Sequence, residues 1–367
     1  MLLIQHPLLP ASIFVKKAYE KKVIIFLGVL TSVTFLVLYL YLTNARATYR
    51  AKGGFERTKK ILANTLHSQV PLAEDFYTFA GCTETKLYLW GRQRNSIFEV
   101  PIDNPNISDT REFALSGFAA KSNITNISLA ANNRLNIFLG NDKKILVYDL
   151  GTKTIERQIS TDFFFSNGYE KSNTWLLQVQ KDTSRQSRLA KFQETKGKLV
   201  EISVPEFIIN GVADAGKDLT YGNGSVVHVS SYSNHIVSSD STLGNITRAS
   251  TIDTNRQNPR VVWIPDKRIL TFSEQPRLVN NNAWIYGPYL CVQSMIEADN
   301  DSYDVLKDFN IVDLYIPEND FKYLHSIYLP ASYNSEATDI LLLNKKIFLL
   351  YNSALLTYTT DEAILQH

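Results

Sequence analysis

Two histidines seven residues apart, His228 and His235, are the pair in this 367-residue chain best spaced for chemistry. If the chain turns tightly at Ser231-Tyr232, the two imidazoles fall opposite each other on one face of a hairpin. Neutral imidazoles so placed could share a metal ion. No third ligand is placed by sequence, so a channel-lining or solvent-facing pair, or a four-residue turn that shifts the register, is the plainer expectation. His228, His235 and Tyr232 are therefore candidate ligand-binding residues, and no catalytic residue, metal or cofactor is assigned.

Carboxylates recur in two patterns. Asp103, Asp149, Asp240 and Asp313 each lie near the end of an apolar run, where an Asp simply caps the following turn by accepting backbone N–H groups. Asp299, Asp301, Asp304 and Asp308, with Asn300, form an acidic stretch lacking the EF-hand ligand order and its central glycine, so a solvated loop is expected. Cys82 and Cys291 could bridge in an oxidising compartment, but two buried thiols are expected instead. No G-x-S-x-G, H-E-x-x-H, phosphate-loop or C-x-x-C motif occurs, which removes the usual nucleophile, zinc, phosphate and redox signatures.

The elements that must position these residues read as strands. Beyond residue 70, short Val-, Ile-, Leu-, Phe- and Tyr-rich runs alternate with Asn, Asp, Gly, Ser and Lys clusters. A hairpin phrase recurs, and the first apolar residues of its second strands are Ile97, Ile145, Leu189, Ile236, Ile311 and Leu355. All but one of the intervals between them fall at roughly 40–50 residues, the period of a four-stranded propeller blade. The long interval, 236 to 311, carries extra strand material. The expected fold is all-β, a six-bladed β-propeller, with seven blades if that interval hides another. Ring closure is expected to pair residues 70–80 with the blade containing residues 339–359.

Ahead of this body, Val23–Leu42 runs twenty residues without a charge, enough at 1.5 Å per residue to span roughly 30 Å of hydrocarbon. The expected organisation is a cytoplasmic tail (1–22), one transmembrane helix (23–42), a linker with a short helix around Glu56–Leu66 (43–69) and the propeller (70–367). Charge follows the same division. Residues 1–60 hold ten Lys/Arg against two Asp/Glu, leaving a body with a net charge of −6. A mildly acidic body is a poor match for nucleic acid. Basic residues flank the apolar run on both sides, so the lysines pressed closest to it, Lys16, Lys17, Lys21 and Lys22, favour an N-terminus inside. Ala45-Arg46-Ala47 fits signal cleavage, but the run is longer than a usual signal core, which favours an uncleaved anchor.

The stretches Asp142–Leu150, Ser231–Ile246 and Asp313–Pro330 resemble blades of NHL/TolB-like six-bladed β-propellers, and more narrowly the membrane-anchored propellers of gram-negative bacteria. The resemblance covers residues 70–360 and carries no catalytic motif. It implies a single-pass membrane protein with its propeller outside the cytoplasm, in the periplasm, working as a binding module for an envelope protein or a small ligand. The alternative it leaves is an extracytoplasmic hydrolase or lyase with its site in the channel.

Overall fold

The computed structural model describes residues 23, 25–41 and 53–360, the last range without 62–65, 74, 104, 116–123, 131–132, 172–173, 181–186, 210–218, 223, 241–242, 257–258, 265, 267–268, 303 and 333–334. The chain divides into two units, Met1–Ala51 and Lys52–His367. In the first, residues 25–41 form a helix, α1, whose apolar side chains are exposed. Its hydroxyls fold back onto carbonyls one turn earlier: Thr31 donates to Leu27, Ser32 to Gly28 and Thr34 to Leu30. Among the described residues no helix is long and apolar enough to cross a membrane.

The second unit is all-β and propeller-like. Two short strands open it, β1 (Lys59–Ile61) and β2 (Leu66–Pro71). Antiparallel meanders follow. The first contains β3 (Tyr77–Cys82), β4 (Lys86–Gly91), β5 (Ser96–Pro101) and β6 (Arg111–Ala114). The second contains β7 (Asn126–Ala130), β8 (Arg134–Leu139), β9 (Lys144–Asp149) and β10 (Thr154–Ser160). The third contains β11 (Phe164–Lys171), β12 (Thr174–Gln180), β13 (Ser187–Thr195) and β14 (Lys198–Ile209). The fourth contains β15 (Leu219–Gly222), β16 (Ser225–Val229), β17 (His235–Asp240) and β18 (Thr247–Ser250). A separate two-stranded hairpin, β19 (Val261–Ile264) and β20 (Ile269–Phe272), fills the long interval of the repeat. The fifth meander contains β21 (Asn280–Tyr286), β22 (Tyr289–Ser294), β23 (Phe309–Ile316) and β24 (Lys322–Pro330), with one helical turn, α2 (Val305–Asp308), before β23. The last contains β25 (Asp339–Leu343), β26 (Lys346–Leu350) and β27 (Ala354–Thr359), and β2 adds its fourth strand.

First strands of successive meanders lie side by side: β3 by β7, β7 by β11, β11 by β15, β15 by β21, β21 by β25, and β25 back to β3. Faces of neighbouring sheets pack together, so the middle strands are apolar on both sides. In β4, Leu87, Tyr88, Leu89 and Trp90 are all buried. That double burial explains why the strands read as continuous apolar runs and not as a two-residue alternation. Ile97, Ile145, Leu189, Ile236, Ile311 and Leu355, which set the repeat phase, sit near the start of the third strand of each meander and are at most 1% exposed. Turn chemistry agrees with the meanders. Asn344 and Lys345, with φ of 49° and 59°, join β25 to β26 by a two-residue loop of the left-handed kind that hairpin twist requires.

Closure takes a different segment from the one expected. Residues 66–71, not 70–80, complete the last meander, with Val70 opposite Leu355 and Pro71 opposite Ala354. Tyr77–Cys82 is the first strand of the next sheet instead. Nor does the expected helix around Glu56–Leu66 form at Lys59–Ile61, which runs as strand parallel to β24. The reason is Arg57, which is buried and drags its neighbours onto the fifth meander (residues 62–65 lie outside the described residues).

Candidate functional site

The strap that leads into the body is held by a buried charge cluster. Arg57 Nε donates to Asp313 Oδ1 (3.0 Å), Nη1 to Asp301 Oδ2 (2.9 Å) and to the Ile296 carbonyl (3.0 Å), and Nη2 to Ser294 Oγ (2.6 Å). Burial works against the guanidinium charge, but Asp313, Tyr328 and Asp301 together more than offset this, and the Arg57 pKa rises. Asp301 also accepts from Lys59 Nζ (2.8 Å) and the Tyr328 hydroxyl (2.6 Å). Burial alone would raise the Asp301 carboxyl; hydrogen bonds from Lys59, Tyr328 and the Ala298 N–H, with Arg57 nearby, hold it below its ordinary value. Asp299 Oδ1 accepts the Gly54 N–H (3.1 Å), and Gly53 N–H donates to the Glu297 carbonyl (2.8 Å). Asp299, Asn300 and Asp301 therefore clasp the strap, with Asp301 buried, while Asp308 is exposed as expected of a solvated loop. Among the described residues no group of three His, Cys, Asp or Glu is arranged to hold a metal ion.

The recurring aspartates divide in the same way. Asp149 accepts the Thr152 N–H (2.7 Å), which holds its carboxyl low, and Asp240 accepts the Gly244 N–H (3.1 Å). Both cap turns. Asp313 instead faces Arg57, and the Asp103 side chain is exposed.

His228 and His235 are not opposite each other. His228 pairs with Val237, while the Ser230 N–H donates to the His235 carbonyl (2.9 Å). The turn is the five-residue loop 230–234, longer than a tight two-residue turn, because neighbouring chain pins it. Asn280 Nδ2 donates to the Ser230 carbonyl (2.8 Å), and the Val279 and Asn280 N–H groups both donate to Ser231. His228 is buried; His235 is half-buried beside Ser233 Oγ (3.2 Å). Tyr232 packs edge-on against Phe272 of the extra hairpin, ring centroids 5.2 Å apart. None of the three lines the central cavity.

That cavity, about 340 Å³, is lined by the first strands of the meanders. Five of its polar residues occupy one level: Thr78, Asn126, Asn167, Asn282 and Asp339 each pair with the fifth residue of the second strand of their sheet. The same position of the fourth meander lies outside the described residues. Asn126 Nδ2 donates to Asn167 Oδ1, which also accepts the Gly168 N–H (2.7 Å). Asn282 Nδ2 donates to Asp339 Oδ1, and Asp339 Oδ2 accepts the Phe79 N–H (3.1 Å). These bonds join the second sheet to the third, and the fifth to the sixth and on to the first. Arg92, in the loop after β4, stands exposed at this level, its guanidinium 5.1 Å over the Trp90 ring and within the field of Asp339.

Cys82 also lines the cavity, as a free thiol whose pKa burial pushes up, and Cys291 is buried and free. A thiol held protonated is a weak nucleophile. Trp284, which could have formed an exposed aromatic rim, is only 7% exposed. Sequence reasoning missed the amide level. Its signal was a polar residue entering each first strand, visible only once the first strands are in phase.

An all-β, propeller-like body around a polar central cavity is thus the class that fold and site define. The sequence matches no protein-family model and no curated protein. Solved structures resemble it. Virginiamycin B lyase from Staphylococcus aureus is 12% identical, with a TM-score of 0.49 over 81% of this chain and 100% of the other. A regucalcin described as calcium-binding, from Agrobacterium tumefaciens, is 8% identical, with a TM-score of 0.46 over 83% and 98%. BamB from Moraxella catarrhalis is 11% identical, with a TM-score of 0.39 over 77% and 82%. At such identities and scores nothing about binding or activity passes to this chain.

Proposed function

We propose that this chain is a membrane-anchored, six-bladed β-propeller that presents its body outside the cytoplasm and binds a small ligand in the central cavity. The observation that carries the binding reading is the cavity lining. Neutral hydrogen-bonding side chains come from most of the first strands, while its thiol is held protonated and both candidate histidines lie elsewhere. Pockets of about 300 Å³ and above, with a few convergent polar groups on apolar walls, are the usual form of a small-molecule site. The anchor reading rests on the uncharged run Val23–Leu42, the exposed apolar side chains of α1, and hydroxyls that bond within the helix.

The test has two arms. The full chain should resist alkaline carbonate extraction, and its body should be digested by protease added to spheroplasts but protected in sealed inside-out vesicles. Leu36→Arg should weaken insertion by roughly 2.5–3.5 kcal/mol on translocon scales. Native mass spectrometry of the purified protein should then show a bound small molecule that is released chemically unchanged. Release of the wild-type chain by carbonate would overturn the anchor; turnover of the bound molecule would overturn the binding reading in favour of an enzyme.

A further inference from the structure

We infer that the central cavity recognises a neutral, polyhydroxylated ligand of monosaccharide to disaccharide size. The inference rests on the binding reading above and names its ligand class. It comes from counting which polar atoms at the cavity are already engaged. Asp339 is engaged on both oxygens, by Asn282, by its neighbour Ile340 N–H (3.0 Å) and by Phe79 N–H. A carboxylate so supplied does not need a cationic ligand. Asn282 Oδ1 accepts the Ala283 N–H (2.9 Å).

What remains is neutral. Among the described residues the Asn167 amide nitrogen, the Asn126 amide oxygen and the hydroxyls of Thr78, Ser128 and Thr220 have no hydrogen-bond partner, and all five residues line the cavity. Primary amides offer a donor pair and an acceptor side by side, and hydroxyls offer both. Vicinal hydroxyls of a sugar or cyclitol present the complementary mixture, whereas a carboxylate or phosphate presents acceptors only. Between the polar groups lie Phe79, Ile127, Leu176, Val226, Ile285 and Leu341, which suit the C–H faces of a pyranose ring. Among the described residues Arg92 is the lining cation, and Asp339 lies within reach of its charge. The volume, about 340 Å³, is at the lower end for small-molecule sites and suits a ligand of one or two sugar rings.

The probes are glucose, N-acetylglucosamine, trehalose and myo-inositol, set against glutamate, glycine betaine and citrate. Binding to the full chain is read by titration calorimetry and by tryptophan emission, since Trp284 lines the cavity. A detergent without a sugar headgroup is required, because a maltoside would compete. At least one neutral probe should saturate one to one while the charged probes do not. Thr78→Val, isosteric and lacking only the hydroxyl, should weaken that probe about tenfold, and Asn167→Leu by more. Absence of saturable binding by every neutral probe, preference for a charged probe, or unchanged affinity in Thr78→Val would each overturn the inference. Carbonate extraction and release of an unchanged bound molecule are read separately, so failure with sugars alone leaves the anchored binding module standing.

Discussion

Arg57 and Asp313, 256 residues apart, meet in a fully buried ion pair with Nε 3.0 Å from Oδ1. The pair makes the segment after Ala51 part of the body and not a stalk. A buried charge is tolerable only when partnered throughout. Here the guanidinium has two carboxylates, a hydroxyl and a carbonyl around it.

Removing one partner from that cluster should therefore be costly. Arg57→Ala leaves Asp313 buried without its guanidinium partner, and should lose about 3–5 kcal/mol in denaturant unfolding of the full chain. Arg57→Met with Asp313→Leu, which replaces both members of that pair and leaves Asp301 with Lys59, should recover part of that loss. Equal stability of Arg57→Ala and wild type would show that the strap is not held in this way.

The same cluster sets an acid dependence. The native pKa of Asp301 is depressed, so its contribution is complete above the unfolded value near 3.8 and is lost as pH falls through the native value. Asp253 has the opposite sign: burial raises its carboxyl, so its ionisation weakens the fold as pH climbs through that raised value. The difference in Tm between wild type and Asp301→Asn should be full at neutral pH and narrow on acidification below about pH 4. A difference constant down to the acid limit would contradict the assignment.

Between the first and second sheets the approach is set by Gly81. Its φ is +144°, and a Cβ there would stand 2.4 Å from Leu129 Cβ. Gly81→Val should destabilise the body by about 2 kcal/mol or more, from backbone strain and the clash together. Thermal unfolding measures it. Leu129→Ala in the same chain keeps the Cβ that clashes, so it should not relieve the effect.

Deleting residues 66–71 should expose β27 as an open edge, since those residues are its partner. Unpaired edges recruit other chains. Concentration-dependent oligomers in light scattering are the expected outcome, and a monomeric, equally stable deletion would count against this closure.

The all-β class and the repeat phase were legible because burial on both sheet faces makes each middle strand an uninterrupted apolar run. Six residues chosen from those runs prove equally buried. The strap was not legible. Arg57 and Asp301 carry the composition of solvated loops, and only distant pairing turns them inward. The register of the histidines was hidden for a similar reason: loop 230–234 takes its length from Val279 and Asn280, nearly fifty residues away. Nor could the amide level be seen, because bulges before Asn167 and Asn282 displace them from simple alternation.

The seam between β2 and β27 also sets a timetable. Pro71 must wait for Ala354, so about 280 residues are made before the first can meet its partner. At about 5–20 residues per second that delay lasts roughly 15–60 s. Throughout it the nascent chain carries an early strand without its native partner, and Ala354–Thr359 are the residues that end its exposure.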